Sequence, residues 1–235
     1  MNTKILSALT ATAAITAMLG AAAPAHAFSF GTTGITFAKN QEVEFKFKES
    51  HGAFISSLGI YEVNNSVASL AKTLFAETKS SDKGGANEWK GTLGNTVKGS
   101  GSVVFNFLAN QVYTLGLSSL HNGNSAGTVY STSSLNGGSQ QAVFGGSQLW
   151  NSLNQETTNR FRAAGSFTNG VSSLFNKGQG TLISFDDRGN RNDADFQDFT
   201  VTAEAVPEPI TMTGLALGLG GLVAARRRRA SKTAS

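Results

Sequence analysis

The segment QEVEFKFKES, Gln41 to Ser50, alternates apolar and charged side chains, with Val43, Phe45 and Phe47 on one side and Glu42, Glu44, Lys46 and Lys48 on the other. A period of two is that of an extended chain, and a strand with one apolar and one charged face buries one side and wets the other. The neighbouring segments extend the pattern. AFISSLGIYEV (53–63) reads as a second strand, Asn64-Asn65 marks a turn, and GSVVFNFLANQVYTLGLSSL (101–120) reads as two strands about a turn near Ala109 to Gln111. GTVYSTS (127–133), QAVFGG (141–146), TLISFDD (181–187) and FQDFTVTAEA (196–205) are further short β-type runs. Many short strands at this spacing predict an all-β fold, an antiparallel, jelly-roll-like β-sandwich. In SVASLAKTLFAETK (66–79), Leu70, Leu74 and Glu77 also fit one helix face, and periodicity leaves that piece open. The Gly- and Ser-rich stretches 80–102 and 121–146 read as surface loops. The stretch 147–176 is the hardest to place; in it Trp150 reads as a core or loop anchor, with a sugar-stacking role as the alternative.

The chain has 235 residues, 27 of them Gly and 16 Phe, with 14% charged residues and no Cys. Disulfides, thiolate catalysis and Cys-based metal sites are therefore excluded, and the fold must hold by its core. The net charge of +4 suggests an anionic partner until the charges are located. Of the 19 basic residues, Lys4, Arg226, Arg227, Arg228, Arg229 and Lys232 lie in the two ends. Between positions 28 and 209, 13 basic face 15 acidic residues, a net of −2, so nucleic acid is not an expected partner.

Both ends read as targeting segments. Residues 1–27 combine an early Lys4, an apolar run and Ala25-His26-Ala27, the pattern of a secretory signal helix cut by signal peptidase before Phe28. At the other end Val206-Pro207-Glu208-Pro209 precedes an uncharged run, 210–225, of about 24 Å as a helix, shorter than a hydrocarbon core of roughly 30 Å. Arg226 to Arg229 would hold the far end in the cytoplasm. The expected domains are thus 1–27, 28–205 and 206–230, with a marginal transmembrane helix in the last.

The order Pro-Glu-Pro, short apolar helix and Arg cluster resembles the PEP-CTERM sorting signal. That resemblance implies that Pro207, Glu208 and Pro209 are recognised by an exosortase, a membrane cysteine protease. It also implies a bacterial exported protein that passes through the inner membrane and ends at the cell surface or in an exopolysaccharide matrix. The physical reading agrees, because two prolines stop a helix from running into the domain and leave Glu208 extended and accessible.

LISFDDRGNRNDADFQDFTV (182–201) is the most chemically pointed stretch. Asp186, Asp187, Asp193, Asp195 and Asp198 crowd one connection between strands and repel one another unless positive charge lies among them. Calcium, which takes six to eight oxygens in flexible geometry, is one candidate, with Asn190 and Asn192 as further oxygens. Ion pairing by Arg188 and Arg191, with Asp and Asn as turn formers, is the other; catalytic carboxylates are a third. The spacing fits neither an EF-hand nor the glycine-rich nonapeptide. This ending, with SSLGIYEV, TLFAETK and AGTVYSTS upstream, is similar to an uncharacterised exported bacterial domain that ends in an Asp-rich DxDFxDF hairpin. The similarity implies a β-sandwich with residues 70–77 in a strand, and no known reaction.

The expectation for function is a non-enzymatic surface or matrix protein. The alternatives are a membrane-retained adhesin and a carbohydrate-active enzyme. An enzyme would need paired carboxylates about 5 to 10 Å apart, yet Glu156 lies in no recognisable motif. A Ser-His-Asp triad through His51 or His121 lacks the Gly-x-Ser-x-Gly elbow.

Overall fold

The computed structural model describes residues 28–80, 82–83, 89–145, 169–171, 180–187 and 196–206. The alternating segment forms β3 (Gln41–His51), and β13 (Phe199–Ala205) runs antiparallel along one edge of it. The other edge is shared by β8 (Ser102–Phe107), opposite its first half, and β7 (Trp89–Gly91), opposite Ser50 and His51. With β11 (Ala142–Phe144), β12 (Thr181–Phe185) and β6 (Asp82–Lys83), the first sheet runs β11-β12-β13-β3-β7-β6. The second contains β1 (Phe28–Gly31), β2 (Gly34–Phe37), β9 (Tyr113–His121), β4 (Ile55–Asn64) and β5 (Val67–Ala76), ordered β1-β2-β9-β4-β5, with β10 (Asn124–Tyr130) also on β9. Every pair of strands is antiparallel, so the protein is all-β; among the described residues the one helical element is a 3-10 turn, Ser133–Asn136. No described helix is long and apolar enough to cross a membrane. The expected signal helix (1–27) and transmembrane helix (210–225) lie outside the described residues.

The two sheets share one apolar core. Phe45 from β3 and Phe107 from β8 are fully buried, with ring centroids 6.3 Å apart. Phe107 also meets Phe37 of the second sheet at 5.3 Å, Tyr113 at 5.1 Å and Phe30 at 6.5 Å. Tilted and edge-on rings at these separations add attraction to the burial of their large surfaces. Further along, Phe47 of β3 lies 5.9 Å from Phe75 of β5.

A polar clasp closes the same end. The Ser50 hydroxyl of β3 donates to Glu77, whose other carboxylate oxygen accepts from the Ser56 N–H of β4 at 2.7 Å. One buried carboxylate thereby fastens the two sheets and keeps its oxygens satisfied, as burial requires.

Residues 67–76 form a strand, not a helix. Asn65 and Ser66 both have positive φ, the form of two-residue turn whose twist matches a hairpin, and Asn64 pairs with Val67 across it. Helical spacing at Leu70 and Leu74 is overridden by pairing with β4. The strand carries two irregularities in its register, opposite Leu58–Gly59 and Ile60–Tyr61. The loop reading of 80–102 and 121–146 is corrected in part. Within 121–146 the β-type runs are strands, with β10 paired to β9 and Ala142 and Phe144 of β11 fully buried; within 80–102, β7 extends the first sheet and Val97 is buried.

Phe107→Ala removes the ring that both sheets contact. The expected loss is about 3 to 5 kcal/mol of unfolding free energy in denaturant melts; a loss under about 1 kcal/mol would mean the sheets do not depend on it.

Candidate functional site

The acidic connection begins where β12 leaves the first sheet. Phe185 pairs with Phe199, so the same register carried one step further sets Asp186 opposite Asp198. The backbone N–H of Asp198 donates to Phe185 O at 3.0 Å, and that of Asp186 donates to Gln141 O at 3.1 Å. The Asp187 N–H donates to Asp198 Oδ2 at 2.6 Å, while the Asp198 carbonyl accepts from the His51 N–H at 3.0 Å. Asp198 therefore ties the mouth of the connection to β3. Asp186 and Asp187 are buried. Asp193 and Asp195 lie outside the described residues, as do Arg188, Asn190, Arg191, Asn192, Trp150 and Glu156. Among the described residues no three His, Asp or Glu side chains group as a metal ion requires.

Beside these aspartates lies a group that strict alternation conceals. Continued from Val43 and Phe47, a period of two points Glu49 into the apolar core. The register instead passes from Phe47 opposite Val201 to Glu49 opposite Thr200, leaving Lys48 as an extra residue. Such a bulge reverses the facing of everything after it. Ser50 turns inward to Glu77, and Glu49 and His51 turn to the opposite face of the sheet. There Glu49 shares a cross-strand row with Thr200 and Ser184, whose hydroxyls are 2.6 Å apart. His51 stands opposite Lys90.

Glu49 is fully buried and doubly paired, with Oε2 2.8 Å from Lys90 Nζ and Oε1 3.4 Å from His51 Nε2. Burial pushes its carboxyl up, but His51 and Lys90 beside it outweigh burial and hold it below the ordinary glutamate range. It therefore stays ionised at neutral pH and is a poor proton acceptor there, because a general base works best with a value near the working pH. Ser50 is committed to Glu77 on the other face, and His121 lies at the end of β9 with its ring 4.6 Å from that of Phe54. The site thus joins Asp186, Asp187 and Asp198, legible in the sequence, to Glu49, His51 and Lys90, which were not.

Glu49 has a lower value folded than unfolded. Its stabilising contribution is present above the unfolded value and is lost as pH falls through the folded one. Glu49→Gln is expected to cost roughly 1 to 3 kcal/mol at neutral pH and to flatten the acid side of a plot of melting temperature against pH; an acid limb unchanged from the parent would contradict this role. Comparison with protein-family models, curated proteins and solved structures finds no match for the chain.

Proposed function

We propose that this is a non-enzymatic exported protein, sorted through a PEP-CTERM signal and retained at the cell surface or in an exopolysaccharide matrix, with residues 28–205 forming one β-sandwich. The observation that carries the reading is the junction with the tail. β13 ends at Ala205, opposite Val43, and the Val206 N–H donates to Glu42 O at 2.9 Å. Pro207-Glu208-Pro209 follows at once, so a protease acting there would cut next to a finished sheet without removing a strand. At the other end Phe28, the first residue after the expected signal-peptidase site, already pairs with Phe37 in the sheet. Export also suits a chain with no cysteine to oxidise. A structural role is supported by Glu49, held ionised by His51 and Lys90 beside it, and by Glu77, which joins the sheets.

In this reading signal peptidase and exosortase are partners during export, with the inner membrane a transient station. The acidic run Asp186, Asp187, Asp193, Asp195 and Asp198 makes Ca2+ a candidate stabilising ion, with ion pairing by Arg188 and Arg191 the alternative. Calcium accepts several carboxylates in flexible geometry.

Two measurements test these statements separately. Glu208→Ala should leave a larger precursor in the membrane fraction on immunoblots, and normal maturation of that variant removes exosortase from the account. Added Ca2+ should raise the melting temperature of the purified protein and a chelator should lower it; coincident melts exclude the ion.

A further inference from the structure

The two sheets present outer faces of different chemistry. On the first, Lys46 of β3 lies 2.9 Å from Glu44 and 3.9 Å from Glu204 of β13, an exposed ion-pair ladder. On the second, the register brings Ser57 of β4, Ser118 of β9 and Thr128 of β10 into one cross-strand row and Gly59, Gly116 and Tyr130 into the next. These two rows hold no charged side chain.

The glycines explain how that face is built. A Cβ on Gly116 would lie 2.6 Å from Tyr61 Cε2 and 2.9 Å from its Cδ2, and one on Gly59 would lie 3.3 Å from Tyr61 Cε2 and 2.7 Å from Leu70 Cδ1. A glycine inside a strand weakens it, and its presence there marks a close approach. Here the Tyr61 ring lies down across β4 and β9. Tyr130 meets it edge-on at 5.4 Å and 87°, fixing its tilt. Burial raises the Tyr61 phenol above its ordinary value, so the ring stays neutral. One flank of this half-buried ring is taken by glycine backbone.

We propose that this face binds a neutral polysaccharide, with the Tyr61 ring as a stacking platform and Ser57, Ser118 and Thr128 as its hydrogen-bonding border. The C–H face of a pyranose is apolar while its rim carries hydroxyls, and a flat ring bordered by hydroxyls matches both. An anionic polymer finds no cation in these rows to pair with. A second copy of this chain would have to desolvate the row of hydroxyls against an identical row, with exposed Leu70 as the main apolar gain. A preformed ring also avoids the cost of ordering a side chain on binding. The matrix-associated reading says only where such a ligand is met; the platform is tested apart from it.

The test is native electrophoresis of the full chain in mild detergent, in gels containing hydroxyethylcellulose or dextran, with alginate gels as the anionic comparison. Retardation is expected in at least one neutral gel and not in alginate. Tyr61→Ala should weaken binding at least tenfold and Tyr61→Phe should keep most of it. Should Tyr61→Ala fail to fold by circular dichroism, Ser118→Glu, which leaves the ring and puts a charge on its border, should abolish retardation. Lys46→Ala on the other sheet should change nothing. The proposal is overturned if the parent runs unretarded in both neutral gels, or if Tyr61→Ala or folded Ser118→Glu binds like the parent. Retardation in alginate that disappears in Lys46→Ala would move binding to the charged face and overturn it equally. Glu208-dependent maturation can stand or fall without altering these outcomes.

Discussion

Without a single disulfide, the two sheets are held by rings that reach from one to the other. Phe107 is central among them, because it stands on β8 beside Phe45 of its own sheet and meets Phe30 and Phe37 of the opposite one. β8 is itself aligned by β3, whose first half it pairs with, so the alternation of residues 41–47 aims the rings and fixes the register of three strands together. The Ser50–Glu77–Ser56 clasp then closes the end where the apolar rings give way to polar side chains. Aromatic packing and one satisfied carboxylate do here what cross-links do in many exported proteins of small core.

Strands with alternation or β-branched and aromatic runs were legible in the sequence. Val43, Phe45 and Phe47 announce β3 because each is apolar between charged neighbours, and GTVYSTS marks most of β10. β7, three residues within a Gly- and Ser-rich stretch, was not, since the decision to extend is made by β3, to which it pairs. The region around Leu70 and Leu74 satisfies two periodicities, and the Asn65–Ser66 turn settles the matter by sending the chain back along β4.

The site shows the same division. Five aspartates between two apolar strands stand out as composition, and the backbones of Asp186, Asp187 and Asp198 meet where β12 and β13 do. Glu49, His51 and Lys90 escape sequence reading because one extra residue, Lys48, exchanges the faces of the strand after it. A bulge has no reliable mark of its own in a single sequence. Its consequence is large, since it carries a carboxylate out of the core and places it between His51 and Lys90, where it is held charged.

Among the described residues β5 ends the second sheet on one side, and a sheet edge is a template on which another chain can add a strand. Its two register shifts spoil that template. Each breaks the even spacing of donors and acceptors and adds local twist, so a straight strand from a neighbour finds its hydrogen bonds in phase over only a few residues. A straight strand of a second copy is therefore a poor partner at this edge, by the geometry of the strand and not by charge, of which Lys72 is its one example.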